Sequence, residues 1–289
     1  MSLTSTLSST LTPPLFSIII PTCNRNDMLA QCLDRLVPGM QSLDASLYEV
    51  IVTDDGKNNE AKALIETSYP WIQWTAGPKR GPAANRNNGA KHAAGEWLVF
   101  TDDDCLPEMH WLHEYYNAIH KFPDCKAYEG AILPDDWNLL KKDMAECPVN
   151  DKGGCFWSAN IMVQRELFGK AGGFDEQFKI AAQEDQDLQT QVSRNTNIVF
   201  VEKAKIIHPV RIGSLLKNLR VLPARLNNWI LYEKKYKLPI LQIWKKGVIS
   251  QTLALFASIR KLNPLKAVEH VITLLFCFIF IPYYASRTS

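Results

Sequence analysis

The sequence predicts an α/β protein: a mostly parallel central sheet flanked by helices, followed by a mainly helical C-terminal region. Three observations predict it. Short β-branched apolar runs alternate with segments of helical period, at 20 to 30 residues per unit, over the first half of the chain. Polar clusters close three of those runs at their C-terminal ends. The charge balance then changes sign near residue 210. Alternation of this kind implies parallel strands joined by helical crossovers.

The elements follow in order. Met1 to Thr12 is rich in Ser and Thr, with no basic residue and no apolar core, so residues 1–14 read as a flexible leader rather than a secretory signal. Phe16 to Ile20 is a strand buried on both faces, stopped at Pro21. Asn24 or Asn26 is expected to cap a helix whose apolar face carries Met28, Leu29, Cys32, Leu33 and Leu36. Tyr48 to Thr53 is a second buried strand, ended by Asp54-Asp55-Gly56, and Glu60 to Ser68 is helical. Ile72 to Thr75 is a short third strand. Gly81-Pro82 opens a helix through His92, and Glu96 to Thr101 is a fourth strand closed by Asp102-Asp103-Asp104.

A helix from Pro107 to His120 and a strand from Ala127 to Leu133 come next, then a polar stretch to Gly154 without a clear period. Phe156 to Val163 reads as a strand, Arg165 to Lys170 as a short helix, Glu184 to Val192 as a helix, and Ile198 to Val201 and Ala204 to His208 as two strands. These elements make residues 15–210 one domain.

Composition bounds the function. A charged content of 21% with 46% hydrophobic residues excludes global disorder. Seven scattered cysteines form no CxxC pair, which fits free thiols in a reducing compartment. From residue 210 onward there are 13 Lys and Arg against two acids, a net of +11, while the rest of the chain carries −9. Leu, Trp and Tyr are interleaved with the bases there. Residues 211–289 therefore read as a basic, apolar helical region suited to an anionic membrane surface rather than to nucleic acid. A solvated basic face or an oligomer contact would use the same composition. Val271 to Ile281 is uncharged but only 11 residues long, too short to span a bilayer, so an interfacial or re-entrant segment is expected.

The chemistry lies in the polar clusters. In a parallel sheet, ligands bind outside the carboxyl ends of the strands, so the clusters at Thr22 to Arg25, Asp54 to Gly56 and Asp102 to Asp104 should converge on one crevice. In an extended segment Asp102 and Asp104 point the same way and Asp103 elsewhere. Two carboxylates on one side suit a divalent cation of the Mg or Mn type, whose use would be to neutralise charge on a diphosphate leaving group. A helix cap with solvated neighbours is the plainer alternative. Asp54 or Asp55 is a candidate contact for a base or ribose, although Asp-Asp-Gly is also a common turn. Arg86, in the helix after Gly81-Pro82, is a candidate for a diphosphate, or an ordinary helix-surface charge. Glu184 and Asp185 open a helix, where acids are favoured by the dipole alone. Asp185 is also the candidate general base that takes a hydroxyl proton, with Glu184 near the acceptor. His208, before Pro209, is either a packed residue or a third metal ligand through a neutral ring nitrogen.

Six segments together resemble family 2 glycosyltransferases of the GT-A type. They are Phe16-Ser17-Ile18-Ile19-Ile20-Pro21-Thr22-Cys23-Asn24-Arg25, Val52-Thr53-Asp54-Asp55-Gly56, Gly81-Pro82-Ala83-Ala84-Asn85-Arg86-Asn87-Asn88-Gly89, Val99 to Asp104, Gly172 to Glu176, and Glu184 to Leu188. They occur in family order over about residues 15 to 210. The resemblance implies a Rossmann-like sheet and a nucleoside-diphosphate sugar donor. It also implies a single displacement at the anomeric carbon with inversion. Pro21, Thr22 and Arg25 with Asp54 and Asp55 would line the nucleotide pocket, and Arg86, Asp102 and Asp103 would lie along the donor. Asp102 and Asp104 would be the DxD pair, with Asp104 on the metal, and Asp185 the base of the ED motif. Trp157 and Asn160 are candidates for the acceptor side. Cys23, Lys57 and Ser158 depart from the residues most frequent in the family at those places.

The acceptor is expected to be a glycan or a lipid-linked glycan, and the enzyme to sit on the cytoplasmic, inner face of a cell membrane. Two other readings are a non-catalytic subunit that binds a nucleotide sugar or glycan, and a Mg-dependent nucleotidyltransferase. The latter would want a Gly-rich loop after the first strand, where Thr22-Cys23-Asn24-Arg25 stands. The intact Asp102, Asp104 and Asp185 weigh against the former.

Overall fold

The computed structural model describes residues 13–58 and 60–286. The expected leader therefore lies, but for Pro13 and Pro14, outside the described residues. The elements are β1 (Phe16–Thr22), α1 (Asn26–Asp34), β2 (Tyr48–Asp54), α2 (Glu60–Ser68), β3 (Gln73–Ala76), α3 (Pro82–His92), β4 (Trp97–Phe100), β5 (Leu106–Pro107), α4 (Trp111–Lys121), β6 (Ala127–Pro134), β7 (Ala145–Glu146), β8 (Ile161–Gln164), α5 (Arg165–Lys170), α6 (Glu184–Val192), β9 (Ile198–His208), β10 (Arg211–Ile212), α7 (Leu215–Lys235), α8 (Ile240–Arg260) and α9 (Pro264–Ser286).

The central sheet has eight strands in the order β3-β2-β1-β4-β8-β6-β9-β5. Its first four strands run parallel, as the strand–helix alternation requires. β8 is antiparallel to both β4 and β6, and β9 is parallel to β6. β1 is buried along its whole length because helices cover both faces of the sheet. One core cluster, around Ile18, Leu29, Val50 and Tyr115, fills one face, and a second, around Ile19, Phe100, Phe168 and Phe174, fills the other.

Several boundaries differ from the sequence reading for identifiable reasons. Arg25, rather than Asn24 or Asn26, is the residue before α1, and no side chain caps that helix. The Asn24 side chain instead accepts a hydrogen bond from the Lys57 amide (3.3 Å). The two strands expected over 198–208 are one strand, whose register against β6 shifts between Gly130 and Ala131, so that a bulge takes up residues 202–204. β8 begins only at Ile161 because a turn closes Trp157 to Asn160 (amide to carbonyl, 2.9 Å). The aperiodic stretch before Gly154 is organised by a buried carboxylate: Glu129 accepts from the amides of Gly154, Cys155 and Phe156 and from the Asn150 side chain.

α3 begins at Pro82 after Gly81, whose φ of 102° favours glycine. Gly89 lets the helix lie directly on the sheet, since a Cβ there would stand 2.5 Å from Ile19 Cγ2. The C-terminal helices have their own small core of Leu222, Leu226, Ile230, Ile243, Cys277 and Ile281. α7 is tied to the sheet domain by polar bonds: the Asn228 amide donates to the carbonyls of Ile180 and Ala182, and the Tyr236 hydroxyl to Asp187 (2.8 Å). α9 is longer than its uncharged run. Its segment Pro264–Ile281 has a mean hydropathy of 1.8 with 17% of its residues buried, so it is long and apolar enough, by length and composition, to cross a membrane. The uncharged run Val271 to Ile281 is thus part of a longer helix, whose extension toward Pro264 takes in Lys266 and Glu269.

Candidate active site

The C-terminal ends of β1, β2 and β4 bring three polar clusters together, and α6 adds a fourth. After Phe100 the chain leaves the extended conformation and turns, with the Cys105 amide bonded to the Asp102 carbonyl (3.1 Å). The three aspartates therefore point in three directions, rather than two one way and one the other.

Asp102 turns toward α3 and α6. Arg86, 4% exposed, donates to Asp102 (2.7 Å) and to Glu184 (3.4 Å). A guanidinium at that depth is held by its carboxylates: burial opposes its charge, and Asp102, Asp185 and Glu184 together outweigh burial and raise its pKa. In return Arg86 overcomes the burial of Asp102 and keeps that carboxyl below its ordinary pKa. Arg86 is thus no surface charge. It clamps the turn that carries Asp102 to the start of α6.

Asp103 is fully buried and faces β1. It accepts from the Thr22 hydroxyl (2.7 Å) and from Arg25 Nε (3.0 Å). Burial raises its pKa to about 6, against Arg25 and Thr22. Asp103 and the Thr22 hydroxyl are spent on each other, so Asp103 joins the ends of β1 and β4 instead of lining the crevice. Pro21 is likewise buried in β1. Asp54 accepts from the Gly56 amide (2.7 Å) and Asp55 from the Lys79 amide (2.8 Å), which ties the loops after β2 and β3 together. Burial raises Asp55 despite the Lys79 and Gly81 amides.

Asp104 faces β9 and β10. Its Oδ1 lies 3.7 Å from His208 Nε2, and its other oxygen meets Arg211 and, at 3.5 Å, Arg25. The His208 Nδ1 lies 3.0 Å from the Pro209 carbonyl. With the proton on Nδ1 donated there, the Nε2 lone pair is turned to Asp104. Burial lowers the His208 pKa, which favours this neutral ring. Asp104, Cys105 and His208 offer ligand atoms within 4.8 Å of one another. A carboxylate and a neutral imidazole at this spacing fit a divalent cation of the Mg or Mn class.

At the start of α6, Glu184 accepts from the Ala182 amide (2.7 Å), and the Asp185 Oδ1 is buried without a hydrogen-bond partner among the described residues. Burial and the neighbouring Asp185 raise Glu184 to about 7. Burial likewise raises Asp185, against Arg86 and Ser158. Buried polar atoms are normally hydrogen-bonded, so this oxygen calls for an explanation.

Asp102, Glu184, Asp185, Arg86, Trp157 and His208 line one cavity of about 720 Å³. Asn160 does not. Its side chain is 1% exposed and fully used: Trp111 Nε1 and the Tyr115 hydroxyl donate to its oxygen, and its nitrogen donates to the Ala131 and Ala204 carbonyls, all at 2.8 Å. It is a core tie between α4, β6 and β9, and the acceptor-side expectation for it is corrected. Three cations that no motif singled out also line the cavity: Arg211, Arg225 and Lys266. They come from the C-terminal region, where the excess of bases was the signal but not the place.

Comparison with known proteins bears on the whole. A sequence model described as Glycosyl transferase family 2 matches residues 17–181, more than half of the chain. The chain is 32% identical over 114 residues to Glycosyltransferase AglE of Haloferax volcanii, covering 38% of this chain and 37% of that protein. It is 29% identical over 151 residues to the GalNAc(5)-diNAcBac-PP-undecaprenol beta-1,3-glucosyltransferase of Campylobacter jejuni, covering 45% of this chain and 47% of that protein. The matches thus span less than half the length of these curated relatives. Among solved structures, S. aureus TarS 1–349 superposes with a TM-score of 0.56 at 17% identity, covering 90% of each chain. The mannosyltransferase PcManGT from Pyrobaculum calidifontis, in complex with GDP-Man and Mn2+, superposes with a TM-score of 0.57 at 18% identity, covering 96% of this chain and 76% of that one. At these identities the superpositions establish the GT-A-type fold.

Proposed function

The chain belongs to glycosyl transferase family 2, and on that premise we propose that it moves a sugar from a nucleoside-diphosphate sugar to a hydroxyl of a glycan or lipid-linked glycan, with inversion. The observation that carries this reading is the half-buried Asp185 carboxylate, which lines the same cavity as the Asp102–Arg86–Glu184 clamp. Inverting transfer needs one base, on the acceptor side of the anomeric carbon, and a separate place for the leaving diphosphate. Asp185 supplies the first. The DxD turn, held rigid by Arg86 and Thr22, supplies the second.

In this mechanism the rim formed by Arg25, Asp54 and Asp55 receives the nucleoside. Arg86 fixes Asp102 and Glu184 so that the donor sugar meets groups already in position, which removes reorganisation cost from the reacting state. Asp185 accepts the acceptor proton as the hydroxyl attacks. Its raised pKa makes it a stronger base than an exposed aspartate. Asp104 and His208 would hold a Mg or Mn ion, which when bound would offset the charge of the departing diphosphate. One group favours this reading over a non-catalytic subunit: a subunit that only binds has no use for a desolvated carboxylate at the head of α6 in the cavity wall.

We place the enzyme at the cytoplasmic face of a membrane, through residues 211–289. The support is the exposed apolar surface of α8 and α9, which includes Leu253, Phe256, Leu275 and Ile279, and the exposed Lys245, Arg260 and Lys261 beside it.

The deciding experiment is thermal unfolding with UDP, GDP, dTDP, CDP and CMP, each with and without Mn. A ligand that binds only the folded chain stabilises it by about 2.7 kcal/mol at a hundredfold excess over its Kd. The expected outcome is a shift for one diphosphate, dependent on Mn and lost in Asp104→Ala. No shift with any nucleotide in a folded sample would remove the transferase reading.

A further inference from the structure

A second cavity, of about 320 Å³, lies between α7, α8, α9 and the segment before α6. It shares Ala182, Gln183 and Arg225 with the catalytic cavity, so the two meet at a common neck. Gln183 forms that neck in an unusual state. Its φ is 74°, left-handed for a residue that carries a Cβ, and its side-chain oxygen is buried without a partner among the described residues. Strain of this kind persists where the surroundings impose it. Here Asn228 of α7, itself 3% exposed, holds the Ile180 and Ala182 carbonyls at 3.1 and 3.0 Å on the approach to Gln183. The helical region therefore sets the loop that presents both Gln183 and, two residues on, Asp185.

The walls state what the cavity takes. Leu222 and Trp229 of α7 form an apolar side. Facing it are Ser250 and Gln251 of α8 and His270 of α9, with Gln251 and His270 bonded to each other (3.0 Å). A plain alkyl chain would strip water from the Ser250, Gln251 and His270 groups and return no hydrogen bond. The lining carries one cation, Arg225, and one acid, Glu269, the latter held by Lys266 and Asn218, so no excess of bases recommends a phosphate. A neutral sugar ring fits both sides: its C–H face suits Trp229 and Leu222, and its hydroxyls suit Ser250, Gln251 and the His270 imidazole.

We propose that this cavity is an acceptor subsite for a neutral sugar residue one unit removed from the residue that is glycosylated, so that the acceptor is a glycan of at least two sugars. The inference rests on the transferase reading for which sugar is elongated. The occupancy of the helical cavity can be tested without turnover.

The test uses the full chain on an array of immobilised mono-, di- and longer neutral saccharides, with the wild type, Ser250→Trp and Gln251→Leu compared. Ser250 is exposed at the cavity wall, so a Trp there fills the space without displacing core residues. Gln251→Leu keeps the volume and removes the hydrogen bonds. Expected are retention of disaccharides or longer glycans but not of the matching monosaccharides, at least a tenfold loss in both variants, and unchanged nucleotide-induced thermal shifts. Retention that is equal in the variants, or indifferent to glycan length, would overturn the subsite. So would no retention of any saccharide by a sample that binds nucleotide. A sample that loses glycans in both variants yet binds no nucleotide would keep the subsite and remove the transferase reading.

Discussion

A single residue shows how the site sets its own pH range. Asp185 is desolvated at the start of α6, and burial outweighs the charge of Arg86 and the Ser158 hydrogen bonds, so its pKa lies above the ordinary carboxylate value. A general base works only deprotonated. As the proposed base, Asp185 should give full activity above that raised pKa, with activity lost as the pH falls through it. The acid limb of kcat/KM should lie distinctly above pH 4, where an exposed aspartate would place it. Asp185→Glu should shift that limb, and Asp185→Asn should abolish transfer while leaving the nucleotide-induced thermal shift intact. A limb at pH 4 or lower in the wild type, measured over the range in which the protein stays folded, would take the base role from Asp185. Much at this scale was legible beforehand. Asp102, Asp104, Asp185 and His208 stand out because residue type and position at a strand or helix end are sequence facts. The partners were not. Nothing in the spacing of Asp103 says that Thr22 and Arg25 will consume it, and nothing local to Asn160 announces the four bonds that bury it. Those depend on which strands become neighbours, and β4 meets β8 and β6 meets β9 only through long-range pairing.

Elements repay sequence reading best where period and punctuation agree. β1, β2 and α2 lie within a residue or two of their expected bounds because an unbroken β-branched run or a clear amphipathic face leaves little choice. The stretch before Gly154 was illegible because its order comes from one buried carboxylate, Glu129, collecting three amides rather than from any repeat. α3 is the element whose fit can be tested. It carries Arg86 into the site and lies on β1 and β2 through Gly89, where a Cβ would stand 2.5 Å from Ile19 Cγ2 and 3.3 Å from Thr53 Cγ2. Alanine is normally better than glycine inside a helix, by about 1 kcal/mol. Here overpacking costs about 1–3 kcal/mol, so Gly89→Ala should lower stability in urea unfolding. It should also weaken nucleotide binding, because the helix must lift and take Arg86 with it. A stabilised Gly89→Ala would mean that α3 is not seated on the sheet as described.

At the scale of the whole molecule, the charge split divides the labour. The acidic part holds the carboxylate site, and the basic part closes one side of it with Arg211, Arg225 and Lys266 while turning an apolar face outward. That outward face is the feature a monomer in water has least reason to keep. Leu253, Phe256 and Ile259 on α8 and Leu275, Phe278 and Ile279 on α9 are each about half exposed or more, and the exposed bases Lys245, Arg260 and Lys261 lie beside them. Contiguous apolar surface flanked by cations fits an anionic bilayer, where each base near the surface contributes about 1 kcal/mol and the apolar side chains contribute by burial. The full chain should therefore sediment with vesicles containing phosphatidylglycerol and much less with neutral phosphatidylcholine vesicles. Salt separates the two ways of being held. If α8 and α9 lie on the surface, raising the ionic strength should release the protein, because the Debye length falls from about 10 Å at 0.1 M to about 3 Å at 1 M. If α9 crosses the bilayer, as its 23 residues and a length of about 34 Å permit, salt should release nothing and only detergent should. Leu253→Glu with Phe256→Glu should abolish surface binding in the first case and leave the anchored protein in the membrane in the second. A full chain that stays in the supernatant with both kinds of vesicle would leave the apolar face to a second copy of the protein, and a sedimentation-equilibrium mass of twice the monomer would then be the expected result.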